Sequence, residues 1–161
     1  MQGGISVKWK EEAKAKLRRY DAMCQAVKNL PEEILRLKRQ IRYYDGENPD
    51  EHLNDVIQLE KMEAYLIQAE GLTRSIDRAM GCLTPEEKLI LYRLCICRQK
   101  GNLDRVCSEL NIEQSSIYRK CNNALRKFTA AFYGVEERQT CKKSRKRKKK
   151  QGFLWDCETL P

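Results

Sequence analysis

Leu83-Thr84-Pro85-Glu86-Glu87-Lys88-Leu89-Ile90-Leu91 opens the stretch that decides the fold, and Asn102-Leu103-Asp104-Arg105-Val106-Cys107-Ser108-Glu109-Leu110-Asn111-Ile112 continues it. Thr84 is placed to cap a helix whose first turn is Pro85-Glu86-Glu87, with Glu87 at the capping-box position. The apolar face of that helix is Leu89, Ile90, Leu91, Leu94, Cys95 and Ile96, and it is expected to end near Gly101. Asn102 is expected to cap a short second helix, Leu103 to Leu110, with Leu103, Val106, Cys107 and Leu110 inward. Asn111 then stands where a tight turn between helices needs positive φ, a conformation asparagine tolerates better than most residues. A third helix starts near Glu113 and turns Ile117, Cys121, Leu125 and Phe128 inward, in steps of 4, 4 and 3 residues.

This is the spacing of a helix-turn-helix. The small residue Cys107 sits four before Asn111, where the helices cross closely, and Ile117 follows ten residues after Cys107. The outward face of the third helix carries Gln114, Ser115, Ser116, Tyr118, Arg119 and Asn122, side chains able to hydrogen-bond base edges and phosphates. Arg126 and Lys127 follow at its C-terminal end, placed for backbone contact, and no acid occurs from Gln114 to Tyr133. Three short amphipathic helices could also form a plain bundle. The short second helix, the asparagine turn and the acid-free third helix together favour DNA.

Asn102 to Ile112, followed by Ser115-Ser116-Ile117-Tyr118-Arg119 and Ala124-Leu125-Arg126-Lys127-Phe128, resembles region 4 of sigma-70-type factors, which reads the −35 promoter element. A long helical part ahead of such a module is similar in layout to phage transcriptional regulators of the ArpU/RinA type. The resemblance implies base contacts at Gln114, Ser115 and Arg119 and a phosphate contact at Tyr118. Sigma factors carry charged residues where this chain has Gln114, Ser115 and Ser116, so their promoter consensus is not transferred. The sigma regions that melt promoters have no counterpart in this sequence, and a complete sigma factor is not expected.

Outward from this module, the N-terminal half reads as two long helical segments. Ala13, Leu17, Tyr20, Cys24 and Val27 form an apolar seam, which resumes at Leu30 and runs through Ile34, Leu37, Ile41 and Tyr44. Leu30-Pro31-Glu32-Glu33 interrupts it, predicting either two helices or one kinked helix. Asp45-Gly46-Glu47-Asn48-Pro49-Asp50 is a turn, and a second seam follows through Val56, Leu59, Met62, Leu66, Ala69, Leu72, Ile76 and Met80, weakened by Gly71. Each rod would be ~45 Å long. They either close on each other as an antiparallel hairpin or meet another chain as a homodimer or higher oligomer. The expected organisation is therefore all-α. Residues 5–81 form a helical hairpin or coiled coil, 83–135 a helix-turn-helix domain, and 136–161 a basic disordered tail.

The chain has 161 residues and a net charge of +9, but the distribution is uneven. Residues 1–137 carry a net charge of only +2, whereas Arg138, Lys142, Lys143, Arg145, Lys146, Arg147, Lys148, Lys149 and Lys150 stand together without an acid. Such a block repels itself, and the lysines and arginines from Lys142 to Lys150 are expected to contact phosphate non-specifically or simply to confer solubility. The role of the Phe153-Leu154-Trp155 cluster beyond it is not legible. No apolar run exceeds four residues, so no membrane span is expected. Charged residues from Lys8 to Lys16 interrupt any signal-peptide core, and the eight cysteines are expected to sit reduced in a bacterial host cytoplasm, near the nucleoid. Cys95 and Cys97 alternate with Leu94 and Ile96 as core residues, and no metal-ligand spacing occurs. There is no phosphate-binding glycine loop, and the one histidine, His52, stands alone, so neither catalysis, a metal nor a cofactor is expected. The leading expectation is sequence-specific binding of double-stranded DNA in transcription regulation, with RNA polymerase as a second partner. A small-terminase-like packaging adaptor and a coiled-coil interaction module with a nucleic-acid-binding tail are the alternatives.

Overall fold

The computed structural model describes residues 7–135. The expectations for the basic segment 136–161, including Lys142 to Lys150, lie outside the described residues. All regular structure among the described residues is helical: α1 (Val7–Arg42), α2 (Pro49–Gly81), α3 (Pro85–Leu91), α4 (Asn102–Leu110) and α5 (Gln114–Tyr133). A π-helical turn, Tyr92–Ile96, continues α3. No helix among the described residues is long and apolar enough to cross a membrane.

Helix α1 runs without a break through Pro31, although proline lacks the N–H that would bond four residues back. The apolar seams on both sides of Pro31 dock on the same partner, and that packing offsets the missing bond. The turn ends where the sequence places it. Pro49 is the first helical residue of α2, the Asn48 side chain accepts from the Glu51 amide at 3.5 Å, and Asp50 and Glu51 complement the helix dipole. His52 stacks on Tyr44 with ring centroids 4.1 Å apart. Helix α2 continues through Gly71 without interruption.

The two long helices pair in opposite directions. Tyr20 donates to Asp77 near one end of the pair, and Lys38 meets Glu63 at 2.6 Å further along. Gln40 donates to Asp55 at 2.8 Å near the other end. The Asp77 hydrogen bond, aided by burial, pushes the Tyr20 phenol above its ordinary pKa. Ala13, Leu17, Ile34 and Leu37 of the first seam are buried, as are Ala69 and Ile76 of the second. Tyr44 is exposed instead, and Met23, which the seam skips, is buried. Val56, Leu59, Met62 and Leu66 are only half-buried, because two helices alone leave much of each seam uncovered.

The largest buried cluster forms where α5 joins the pair. Ala13 and Leu17 of α1, Ile76 and Ala79 of α2, Leu91 of α3 and Ala124, Leu125 and Phe128 of α5 belong to one cluster. The expected boundary between 81 and 83 therefore runs through a shared core, with Leu83 buried in it. A smaller cluster of Ile90, Val106 and Ile117 joins α3, α4 and α5. Cys121 packs against both clusters. The neighbouring Cys95 and Cys121 thiols shift each other in opposite directions, Cys95 below and Cys121 above the ordinary value.

Pro31 is exposed, so its replacement removes a backbone defect without opening a cavity. Pro31→Ala should raise the unfolding free energy by about 1–3 kcal/mol in urea titration, since proline is the poorest interior helix residue.

Candidate nucleic-acid interface

The candidate surface on α5 rests on a chain of polar contacts at the helix ends. Thr84 and Glu87 form a reciprocal capping box: the Glu87 amide donates to Thr84 Oγ1 at 3.3 Å, and the Thr84 amide to Glu87 Oε2 at 3.0 Å. Glu87 also meets Lys127 of α5 at 2.6 Å, and Glu86 pairs with Lys120. These two contacts fasten the start of α3 to α5. Burial pushes the Glu87 carboxyl up, but Lys127 and the Thr84 hydrogen bonds outweigh it and leave its pKa below the ordinary value.

Two expectations for the next segment require correction. The helix that begins at Pro85 does not stay α-helical towards Gly101. It widens to a π-turn, closed by the Cys97 amide on Tyr92 O at 2.7 Å, and ends at Ile96. Asn102 is not a side-chain cap. Gly101, with φ of 80°, occupies the cap position, and Asn102 is the first residue of α4 with its side chain buried. Asn102 Nδ2 donates to Arg93 O at 2.9 Å and also to Cys97 O. A helix end leaves carbonyls without partners, and the buried amide satisfies two of them, locking the π-turn to α4.

Helix α4 ends as the sequence requires. Asn111 adopts φ 52° and ψ 48°, and the Ile112 amide returns to Cys107 O at 3.0 Å. Glu113 then stands in extended conformation, and its carbonyl accepts from the Ser116 and Ile117 amides, both at 3.0 Å, to start α5. Ile117, Ala124, Leu125, Phe128, Thr129 and Ala130 are buried. Thr129 tolerates this because its hydroxyl donates to Leu125 O at 2.6 Å.

The opposite face of α5 brings Ser115, Tyr118, Arg119 and Asn122 to the surface together, with Tyr118 57% exposed. Ser116 and Arg126 are half-buried. Gln114 is exposed but committed, its Nε2 donating to Asp104 of α4 at 2.9 Å. Lys127, expected to contact a DNA backbone, is exposed and pairs with Glu87. Ser115, Tyr118, Arg119 and Asn122 thus share one surface with Gln114 and Ser116 at its borders, and Lys127 also braces α3 against α5.

Beside Tyr118 and Asn122 lies a cavity of about 580 Å³ that sequence reasoning missed. Its basic wall comprises Lys14, Arg93, Arg98 and Lys100, and no carboxylate lines it. Arg98 and Lys100 carried a local signal as basic residues just before Gly101. Lys14 carried none, because only the packing of α1 on the rest brings it there. Comparison of the chain with protein-family models, with curated proteins and with solved structures finds no match.

Asn102→Ala should cost about 1–3 kcal/mol in chemical denaturation, the range for leaving buried carbonyls unpaired. The depressed Glu87 pKa stabilises the fold above the ordinary carboxylate range, and this contribution is lost as pH falls through the folded value. Glu87→Gln should therefore flatten the fall in stability below about pH 4 measured by urea titration across pH.

Proposed function

We propose that the chain is a sequence-specific double-stranded DNA-binding protein of transcription regulation, a phage or prophage regulator with a sigma region 4-like helix-turn-helix. In this reading α4 and α5 are the two helices of the motif and α5 enters the major groove. The observation that carries it is the surface of α5. Ser115, Tyr118, Arg119 and Asn122 stand exposed together on a helix without a single acid, and the opposite stripe of that helix is clamped in the core. A reader of base edges needs such a helix: polar groups held in a fixed register, with positive charge and none that repels phosphate.

Arg119 is the base reader, because its fork of donors matches the paired acceptors of guanine. Tyr118 and Asn122 flank it for phosphate and base contact. Ser115, Ser116 and Gln114 border the groove, with Gln114 oriented by Asp104. Arg126 and, once released from Glu87, Lys127 supply backbone contacts. The long α1–α2 pair acts as a hairpin that sets the oligomeric state or meets RNA polymerase. Exposed Leu53 and Ile67 on α2, 58% and 71% accessible, give that pair apolar surface for an assembly. The basic segment from Lys142 to Lys150 adds salt-sensitive, non-specific affinity in a cytoplasmic setting.

Selection of randomised duplexes by the full chain at physiological ionic strength should enrich a defined motif. On the enriched site Arg119→Ala should weaken binding by about 1–3 kcal/mol, and on random duplex by much less. An equal loss on both, or no enrichment, would remove α5 from base readout.

A further inference from the structure

Away from α5, the α1–α2 pair leaves two stripes uncovered. On α2, Leu53, Ile57, Glu60, Ala64 and Ile67 recur in steps of 4, 3, 4 and 3 residues, and all are exposed. On α1, Lys28, Pro31, Leu35, Lys38 and Arg42 recur in steps of 3, 4, 3 and 4 and are exposed as well. This is the spacing of a helix side packed along another helix. Neither stripe is the seam between the two helices, which uses Leu30, Ile34 and Leu37 on α1 and Leu59, Met62 and Leu66 on α2. Lys38 of the first stripe meets Glu63, which stands three residues after Glu60 and four before Ile67. Both stripes therefore flank the seam on the same side and form one face of the pair. Its apolar points are Leu35, Leu53 and Ile67, at 50%, 58% and 71% exposure.

Charge selects what can cover this face. Residues 28–42 of α1 hold five basic residues and two acids, whereas 49–70 of α2 hold six acids and one lysine. Lys28, Arg42, Glu60 and Glu70 make no ion pair among the described residues. A second copy related by a two-fold axis parallel to the helices lays its α1 on this α2 and its α2 on this α1. Opposite charges then meet twice. A two-fold across the helices would set α1 on α1 and α2 on α2, where like charges oppose. The Lys38–Glu63 and Tyr20–Asp77 contacts fix which residues stand at one level along the pair. An axis along the helices keeps that level. It brings Lys28 to the partner's Glu70, Lys38 to the partner's Glu60, and Leu35 to the partner's Ala64 and the partner's Ile67. The face is about 25 Å long and about 20 Å wide. That footprint suits a reversible dimer rather than an obligate one.

We infer that this face binds a second copy of the chain, α1 of each copy on α2 of the other, and closes an antiparallel four-helix bundle. Two helices cannot enclose a core, and four can. Leu35, Leu53 and Ile67 leave water in the bundle, and the charges on either side of them find partners. Because the axis runs along the bundle, both helix-turn-helix modules stand at the same end, where α5 packs on Ala13 and Leu17 of α1. Two α5 surfaces then act together. The inference rests on the reading of the α1–α2 pair as an assembly surface, and it does not require α5 to bind DNA.

The test is sedimentation equilibrium of the full chain under reductant, at physiological ionic strength and across the micromolar range. A reversible monomer–dimer equilibrium is expected. Lys28→Glu and Glu70→Lys should each weaken self-association at least about ten-fold, since each turns two attractions into two repulsions. Both should keep the helical circular-dichroism signal of the parent. Mixing the two variants should restore a dimer of parental strength, because opposite charges again meet at both contacts. Restoration also shows that neither variant is misfolded. A monomer at every concentration, a ring or higher oligomer, or a dimer that both variants leave unchanged would overturn the inference. So would two helical variants that stay apart on mixing. Motif selection reports separately on α5, so the dimer and the DNA reading can fail independently.

Discussion

Phe128 is fully buried at the place where α1, α2, α3 and α5 converge, and the arrangement of the molecule follows from that convergence. Helix α5 has an apolar stripe on one side and a polar, acid-free surface on the other, so it needs a large hydrophobic anchor to hold a fixed rotation. Leu17 and Ile76 come from the long helices, Leu91 from α3, and all are buried in the same cluster as Phe128. Beyond that cluster, aromatic contacts extend the clamp. Phe128 stacks on Phe132 at 5.7 Å, Tyr133 lies 5.4 Å from Trp9, and Lys16 donates to the Tyr133 hydroxyl at 3.1 Å. Burial of this kind is non-directional, and polar contacts must set the register.

Those polar contacts concentrate at helix ends. Thr84 and Glu87 start α3 and tie it to α5, Asn102 closes the π-turn against α4, and Asn111 turns the chain into α5. Each meets a backbone requirement that hydrophobic packing cannot meet. The π-turn has a packing consequence too: Ile90, Leu91, Cys95 and Ile96 are all buried, across two clusters that face different neighbours. Leu91, Cys95 and Ile96 pack towards the long helices, while Ile90 packs with Val106 of α4 and Ile117 of α5. The basic cavity lies between the π-turn, the start of α4 and α5.

The α1–α2 pair shows the other side of the same physics. Near α5 it has a third helix to bury against, and there Leu17, Ile76 and Ala79 are excluded from water. Away from α5 the second seam is only half-covered, and Leu35, Leu53, Ile57 and Ile67 stay exposed. Side-chain pairs such as Lys38–Glu63 align the helices there, but exposed ion pairs contribute little stability. The end near α5 is therefore the firmly packed one, and the far end holds the uncovered apolar surface.

Local chemistry was legible in the sequence alone. Periodicity marked the helical segments, though not whether the first was one helix or two, because burial of one face imposes a 3.6-residue rhythm on apolar side chains. The cap at Thr84, the turn before Pro49 and the turn at Asn111 were readable because each answers a backbone need within a few residues. The surface residues of α5 followed from the same rhythm. Tertiary structure decided the rest. Whether Pro31 broke its helix depended on the partner packed along both sides of it. Asn102 had the sequence signature of a cap, but the carbonyls it satisfies belong to a π-turn created by packing. Lys127 pairs with Glu87, forty residues earlier, a contact that no local pattern announces. The basic cavity joins Lys14 to Arg98 and Lys100, residues that share no local pattern. Sequence determines which side chains a helix turns to each side. Only the three-dimensional packing of distant segments determines what each of those side chains meets.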